Sequence, residues 1–212
     1  YNLTISRNMF NNKLDQFADA DFGNESKRTF RSNSNEIENK LRLDVNKLIR
    51  NWKFSYGASF QYVKYDNDLF AKVANEVLDS NGTVISPAVF TGFNTAIDFI
   101  KYGAFGSVSK KMFQEKLSMT LGVRLDFNSF PVTEIYFEES FSPRFTASYS
   151  VSPKVNINAT VGRYIKMPSY TVLGYRNSLG NLENSRAQNI ICDHLAGGVE
   201  ILPTSSLRIT VE

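Results

Sequence analysis

Between Leu117 and Phe127 the chain alternates without a break. Leu117, Met119, Leu121, Val123, Leu125 and Phe127 are apolar, while Ser118, Thr120, Gly122, Arg124 and Asp126 are small or polar. A strand turns successive side chains to opposite faces, so this segment has one dry face and one wet face. In a helix the same apolar residues would scatter around the circumference. The alternation recurs along the chain at lengths unusual for a soluble strand. It predicts strands with lipid on one side and a polar lumen on the other, an all-β, antiparallel, up-and-down transmembrane β-barrel segment.

Composition does not oppose this. No apolar run approaches the roughly 20 residues of a membrane helix, but barrel strands conceal their hydrophobicity by alternating it. The net charge is only +3, and Lys and Arg are spread along the chain, so nucleic acid is not an expected partner. Cys192 is the only cysteine, which excludes an internal disulfide and a thiolate zinc site.

Nine strand-like segments are legible: residues 1–7, 35–48, 52–65, 93–108, 113–128, 142–151, 155–165, 191–202 and 205–212. In the second, Ile37, Leu41, Leu43 and Val45 oppose Glu38, Lys40, Arg42 and Asp44. The fourth alternates less cleanly; Ile100, Tyr102, Ala104 and Val108 are read outward, Lys101 and Ser107 inward. Short turns (49–51, 109–111, 152–154, 203–204) alternate with long loops (8–34, 66–92, 129–141, 166–190). Short turns at one end and long loops at the other are the pattern of an outer-membrane barrel. Trp52, Phe54 and Tyr56 near a turn, and Tyr62, Tyr65 and Phe70 near the opposite end, suggest two interfacial aromatic girdles. An open sheet in lipid leaves unpaired edge groups, and nine is an odd count, so further strands are expected on both sides.

Sites of chemistry are few. No P-loop, dinucleotide fingerprint, HExxH or CxxC occurs, no cofactor or metal site is expected, and the chain does not read as an enzyme. His194, the only histidine, shares strand parity with Cys192 and Glu200 and is expected to face the lumen, as are Arg124 and Asp126. Residues Asp19 to Glu25 loosely match a calcium loop, but the glycine is one position early and no Glu closes the twelfth position. Glu134, Glu138 and Glu139 invite the same caution.

Several segments in register carry a family resemblance. Residues Ser142-Pro143-Arg144-Phe145-Thr146-Ala147-Ser148-Tyr149-Ser150 resemble a strand of TonB-dependent outer-membrane receptors. Residues Val161 to Tyr170 resemble the next strand and loop of that family, especially in Bacteroidota-type members; Ser34 to Arg42 and Tyr56-Gly57-Ala58 fit the same type. The resemblance implies a 22-stranded barrel around an N-terminal plug, importing a scarce nutrient with energy from the TonB complex. It implies a Gram-negative outer membrane as location, with lipid, the plug, the TonB complex and a small-molecule nutrient (siderophore, haem, vitamin, glycan or peptide) as partners. Residues 1–212 would then be part of the barrel domain, without plug or remaining strands. Ligand contact in such barrels comes from loops and the upper lumen wall, which makes Tyr170, Tyr175 and Arg176 the binding candidates. A passive porin and a soluble β-rich surface protein are the alternatives. If the chain were soluble, Leu121, Phe60 and Tyr149 would be buried within it; as a barrel wall it leaves them bare.

Overall fold

The computed structural model describes residues 1–130, 137–204 and 206–212. Its strands are β1 (Asn2–Phe17), β2 (Arg28–Ile49), β3 (Trp52–Ala74), β4 (Val77–Leu78), β5 (Val84–Ser86), β6 (Val89–Met112), β7 (Leu117–Asn128), β8 (Phe141–Ser152), β9 (Val155–Lys166), β10 (Ile190–Thr204) and β11 (Leu207–Val211). A single helical turn, α1 (Tyr170–Leu173), lies in the loop after β9. Nine strands form one sheet in the order β1-β2-β3-β6-β7-β8-β9-β10-β11, with β4 and β5 as a separate hairpin in the β3–β6 loop. Every neighbouring pair is antiparallel, so the sheet is an uninterrupted meander. Among the described residues β1 pairs only with β2 and β11 only with β10, and the sheet does not close.

Pairing carries the alternation from strand to strand. Leu121 lies opposite Val108 and Phe145, and Phe145 opposite Val161, so the apolar residues of β6 to β9 share one face. On that face Leu121 is 54% exposed, Phe60 47% and Tyr149 45%. The soluble reading required these three to be buried, and they are bare. An apolar band left open over a whole sheet face suits contact with acyl chains, not water.

The strands of the sheet differ widely in length. β2, β3 and β6 have 22, 23 and 24 residues, while β7, β8 and β9 have 12 each. Crossing the hydrocarbon takes roughly 9–11 tilted residues, so the long strands project well beyond it at their loop ends. This corrects the reading of residues 8–34 and 66–92 as loops. Above the membrane both sheet faces are wet, alternation disappears, and the strand loses its signal while its hydrogen-bond ladder continues. The true first loop is 18–27.

Turn boundaries also shift. β6 continues to Met112 and the turn is Phe113–Lys116, not 109–111, so β7 begins at Leu117. Phe113, Gln114 and Glu115 all have positive φ (53°, 57° and 68°), a left-handed run that ends the strand despite the apolar Phe113. Ser109 stays in the ladder, its hydroxyl 2.8 Å from that of Thr120. β10 runs through Pro203 and Thr204, and Ser205, expected in the last strand, lies outside the described residues.

The girdles are partly corrected. Trp52 stacks on Phe54 at 6.3 Å near the turn end, and Tyr102 stacks on Phe127 at 5.6 Å near the loop end of β7. Tyr62 is outward and exposed. Tyr65 instead points to the polar face and is 3% exposed, and Phe70 stacks on Phe90 in the projecting part of β3 and β6.

Candidate functional site

The polar face of the sheet is built by strand register. Glu38 of β2 pairs with Val63 of β3, and Val63 with Phe99 of β6; Lys40 pairs with Gln61, and Gln61 with Lys101. On β7 the same face carries Arg124 and Asp126, and on β8 Arg144, which lies opposite Gly122 and Gly162. His194 lies opposite Gly162 on this face, and its ring meets Tyr164 edge-on at 6.1 Å. The register therefore sets Arg124, Asp126 and His194 on one face of the sheet, His194 three strands away from the other two.

The loop 167–189 folds back over this face. Leu173 of α1, 1% exposed, enters a cluster with Val63, Tyr65, Ile97, Phe99 and Phe130, the buried apolar cluster among the described residues. Tyr170 packs at 5.8 Å from the Tyr65 ring and 5.6 Å from Phe99. Gly174 permits the approach, since a Cβ there would stand 2.9 Å from Thr95 Cγ2. The sheet's interior is thus not between two layers of the fold but between its wet wall and inward loop residues, Leu173 from the loop after β9 and Phe130 from the loop after β7.

Polar contacts lock the loop in place. The Tyr170 hydroxyl donates to Glu38 Oε1 at 2.6 Å and accepts from Lys101 Nζ, which also lies 3.2 Å from Glu38 Oε1. Burial, with the nearby carboxylates of Glu38 and Glu36, holds the Tyr170 phenol far above its ordinary range. The Tyr65 and Thr171 hydroxyls are 2.9 Å apart. Arg176 donates from Nε to Thr95 Oγ1 at 3.2 Å and from Nη1 to the Gly180 carbonyl at 2.8 Å. Tyr175 meets Phe93 edge-on at 5.2 Å.

Tyr170, Tyr175 and Arg176, singled out as ligand contacts, are thereby brought together as anchors of one loop. The partners that hold them, Glu38, Lys101, Tyr65 and Phe99 for Tyr170, Phe93 for Tyr175 and Thr95 for Arg176, escaped sequence reasoning, as did Leu173 in the cluster beneath. One signal was available: Ile97 and Phe99 are apolar on the wet parity of β6, which is why that strand alternated poorly.

Beside the anchors lies a cavity of about 630 Å³, open toward the polar side. Lys40, Lys101, Arg124, Arg144, Lys166 and Tyr170 stand in its wall, together with Glu36 and Asp126. Arg124 grips Asp126 through Nε at 2.5 Å and Nη2 at 2.7 Å. Arg144 lies 4.3 Å over the Tyr164 ring. The arrangement gathers charge and hydrogen-bonding groups on one wall.

The carboxylates of the first loop lie in ion pairs. Lys27 reaches Asp19 at 3.5 Å and Asp21 at 3.4 Å, and Arg28 binds Glu25 and Asp15. Glu139 offers its backbone carbonyl to Asn189 at 2.9 Å; Glu134 lies outside the described residues.

A family model for the TonB-dependent receptor-like β-barrel matches residues 1–206. A solved structure of the copper transporter OprC superposes with a TM-score of 0.62 at 14% identity, covering 94% of this chain and 33% of that one. The outer-membrane transporter YddB of Escherichia coli superposes with a TM-score of 0.52 at 16% identity, covering 88% of this chain and 26% of that one. The chain thus spans about a third of the length of the first of these transporters and about a quarter of the second. No curated protein matches it in sequence.

Proposed function

The chain belongs to the TonB-dependent receptor-like β-barrel family, and from that premise we propose that it is wall of an outer-membrane receptor importing a scarce nutrient with energy relayed by the TonB complex. The observation that carries the reading is the division of one sheet into a bare apolar face and a polar face roofed by an inward loop. Lipid outside and a solute path inside account for both. Further strands complete the barrel, since open edges in hydrocarbon leave backbone groups without partners. A plug, contacted by the polar face, and a Gram-negative outer membrane follow from the same reading. The nutrient is a small molecule of the siderophore, haem, vitamin, glycan or peptide class, contacted near Tyr170, Tyr175 and Arg176.

A passive porin is the second reading. It is favoured by the loop 167–189, because an inward segment can narrow a pore without a plug. Uptake by cells carrying the complete gene separates the two. Growth of a deletion strain on candidate nutrients identifies the one lost. Collapse of the proton-motive force with an uncoupler abolishes energised uptake and leaves passive diffusion unchanged. Undiminished uptake in uncoupled cells refutes the first reading.

A further inference from the structure

We infer that the cavity beside α1 is a binding site for a small polyanion, recognised through carboxylate or phosphate oxygens; this rests on the uptake reading and names the solute class for it. Five cations stand in the wall against two acids. Two of the five are engaged: Lys101 with Glu38 at 3.2 Å, and Arg124 with Asp126. Lys40, Arg144 and Lys166 make no ion pair among the described residues, and Glu36 is the one wall carboxylate in the same condition. The cavity therefore keeps a positive surplus after its internal pairs are discounted.

Three features make this a built site, not a scatter of surface lysines. The three cations come from β2, β8 and the end of β9, and converge only because the sheet register and the inward loop bring them to one wall. Arg144 is held over the Tyr164 ring at 4.3 Å, which restrains the guanidinium at this wall. Neutral hydrogen-bonding side chains, Gln61, Asn128 and Ser142, fill the spaces between the charges. The volume of about 630 Å³ falls within the roughly 300–1,000 Å³ of small-molecule sites. A recess with a surplus of one sign of charge concentrates counter-charged solute.

The test is equilibrium titration of the full-length protein in detergent with citrate, with pyrophosphate and with neutral sucrose. Saturable binding of either anion, weakening with added salt, and none of sucrose is expected. Arg144→Gln and Lys166→Gln each raise the dissociation constant about tenfold, or about 1.4 kcal/mol. Lys40→Gln, on a different strand, does the same and guards against a folding defect in either of the others. The choice between citrate and pyrophosphate tells carboxylate from phosphate as the source. Anion binding indifferent to all three substitutions, or matched by sucrose, overturns the inference. Binding seen only after the plug is deleted also overturns it, because the cations then serve a protein contact. Outer-membrane fractionation of the producing cells, before extraction, keeps the two readings apart. A protein found in the outer membrane that binds no anion sinks the polyanion site alone, and one absent from that membrane sinks the uptake reading.

Discussion

A charge at Leu121 is the sharpest probe of the membrane face. Leu121 is the fifth residue of β7, outward, and 54% exposed. A strand tilted by about 40° rises about 2.5 Å per residue along the membrane normal, given about 3.3 Å along the strand. Leu121 therefore stands about 10 Å above the start of β7, near the middle of an apolar band about 25 Å tall. Leu121→Arg is expected to destabilise the full-length barrel by about 2–4 kcal/mol in phospholipid vesicles. Asn39, also outward, lies ten residues from the end of β2 at Ile49, near the outer interface. Asn39→Arg is expected to cost about 0–1 kcal/mol. The assay is guanidinium unfolding in vesicles followed by tryptophan fluorescence, with Trp52 at the opposite rim as one reporter. Equal costs at the two positions would refute the depth argument. So would a Leu121→Arg cost unchanged in short-chain detergent, because a soluble core has no lipid to depend on.

Other perturbations address the inward loop and the sheet. Leu173→Ala should loosen the docking of 167–189 by about 2–5 kcal/mol, because the side chain is fully buried; hydrogen exchange of that loop reports it, and unchanged protection would contradict the packing. Tyr170→Phe removes the hydroxyl shared by Glu38 and Lys101 and should cost about 1–3 kcal/mol by the same exchange measurement. The raised phenol makes the clasp pH-dependent in one direction. Its stabilising share is fully present below the ordinary tyrosine value of 10.0, falls steadily as pH climbs above it, and is gone once pH passes the higher folded value. An ultraviolet titration at alkaline pH should show fewer phenolates in the folded wild type than in the unfolded chain, and the shortfall should be smaller by one in Tyr170→Phe. Gly57→Ala places a Cβ 2.2 Å from the Leu43 carbonyl and 2.8 Å from Phe105, so β2 and β3 must separate, at about 1–3 kcal/mol in the same unfolding assay.

The membrane-spanning part of each strand was legible because two different solvents act on its two faces. Lipid on one side and water on the other impose a period of two on β7, β8 and β9, and there the expected boundaries agree with the sheet to within a few residues. The projecting parts were not legible for the complementary reason. Residues such as Asn11, Asn12 and Lys13 of β1 meet water on both faces, so nothing forces alternation, yet their ladder with Asn35, Ser34 and Asn33 is unbroken. Backbone pairing leaves no trace in side-chain pattern unless the two faces differ in polarity.

Site residues divide along the same line. Tyr170, Tyr175 and Arg176 stood out as large groups in a long loop, but their partners lie up to 132 residues away, and only the fold supplies that distance. What sequence offers is a breach of parity on the wet face. A single breach is weak: Phe10 and Leu14 on β1 are apolar on that face and remain 62% and 44% exposed, opposite Glu36 and Ser32. The covered site differs in having its breaches in register. Val63 lies opposite Phe99 and Tyr65 opposite Ile97, so four apolar side chains form one patch across two strands. Such a patch above the membrane has neither lipid nor core to meet and must be roofed by a loop. Leu173 and Phe130 supply the roof, and the cavity stands beside it because the roof ends where Lys40, Arg124 and Arg144 restore the wall to charge.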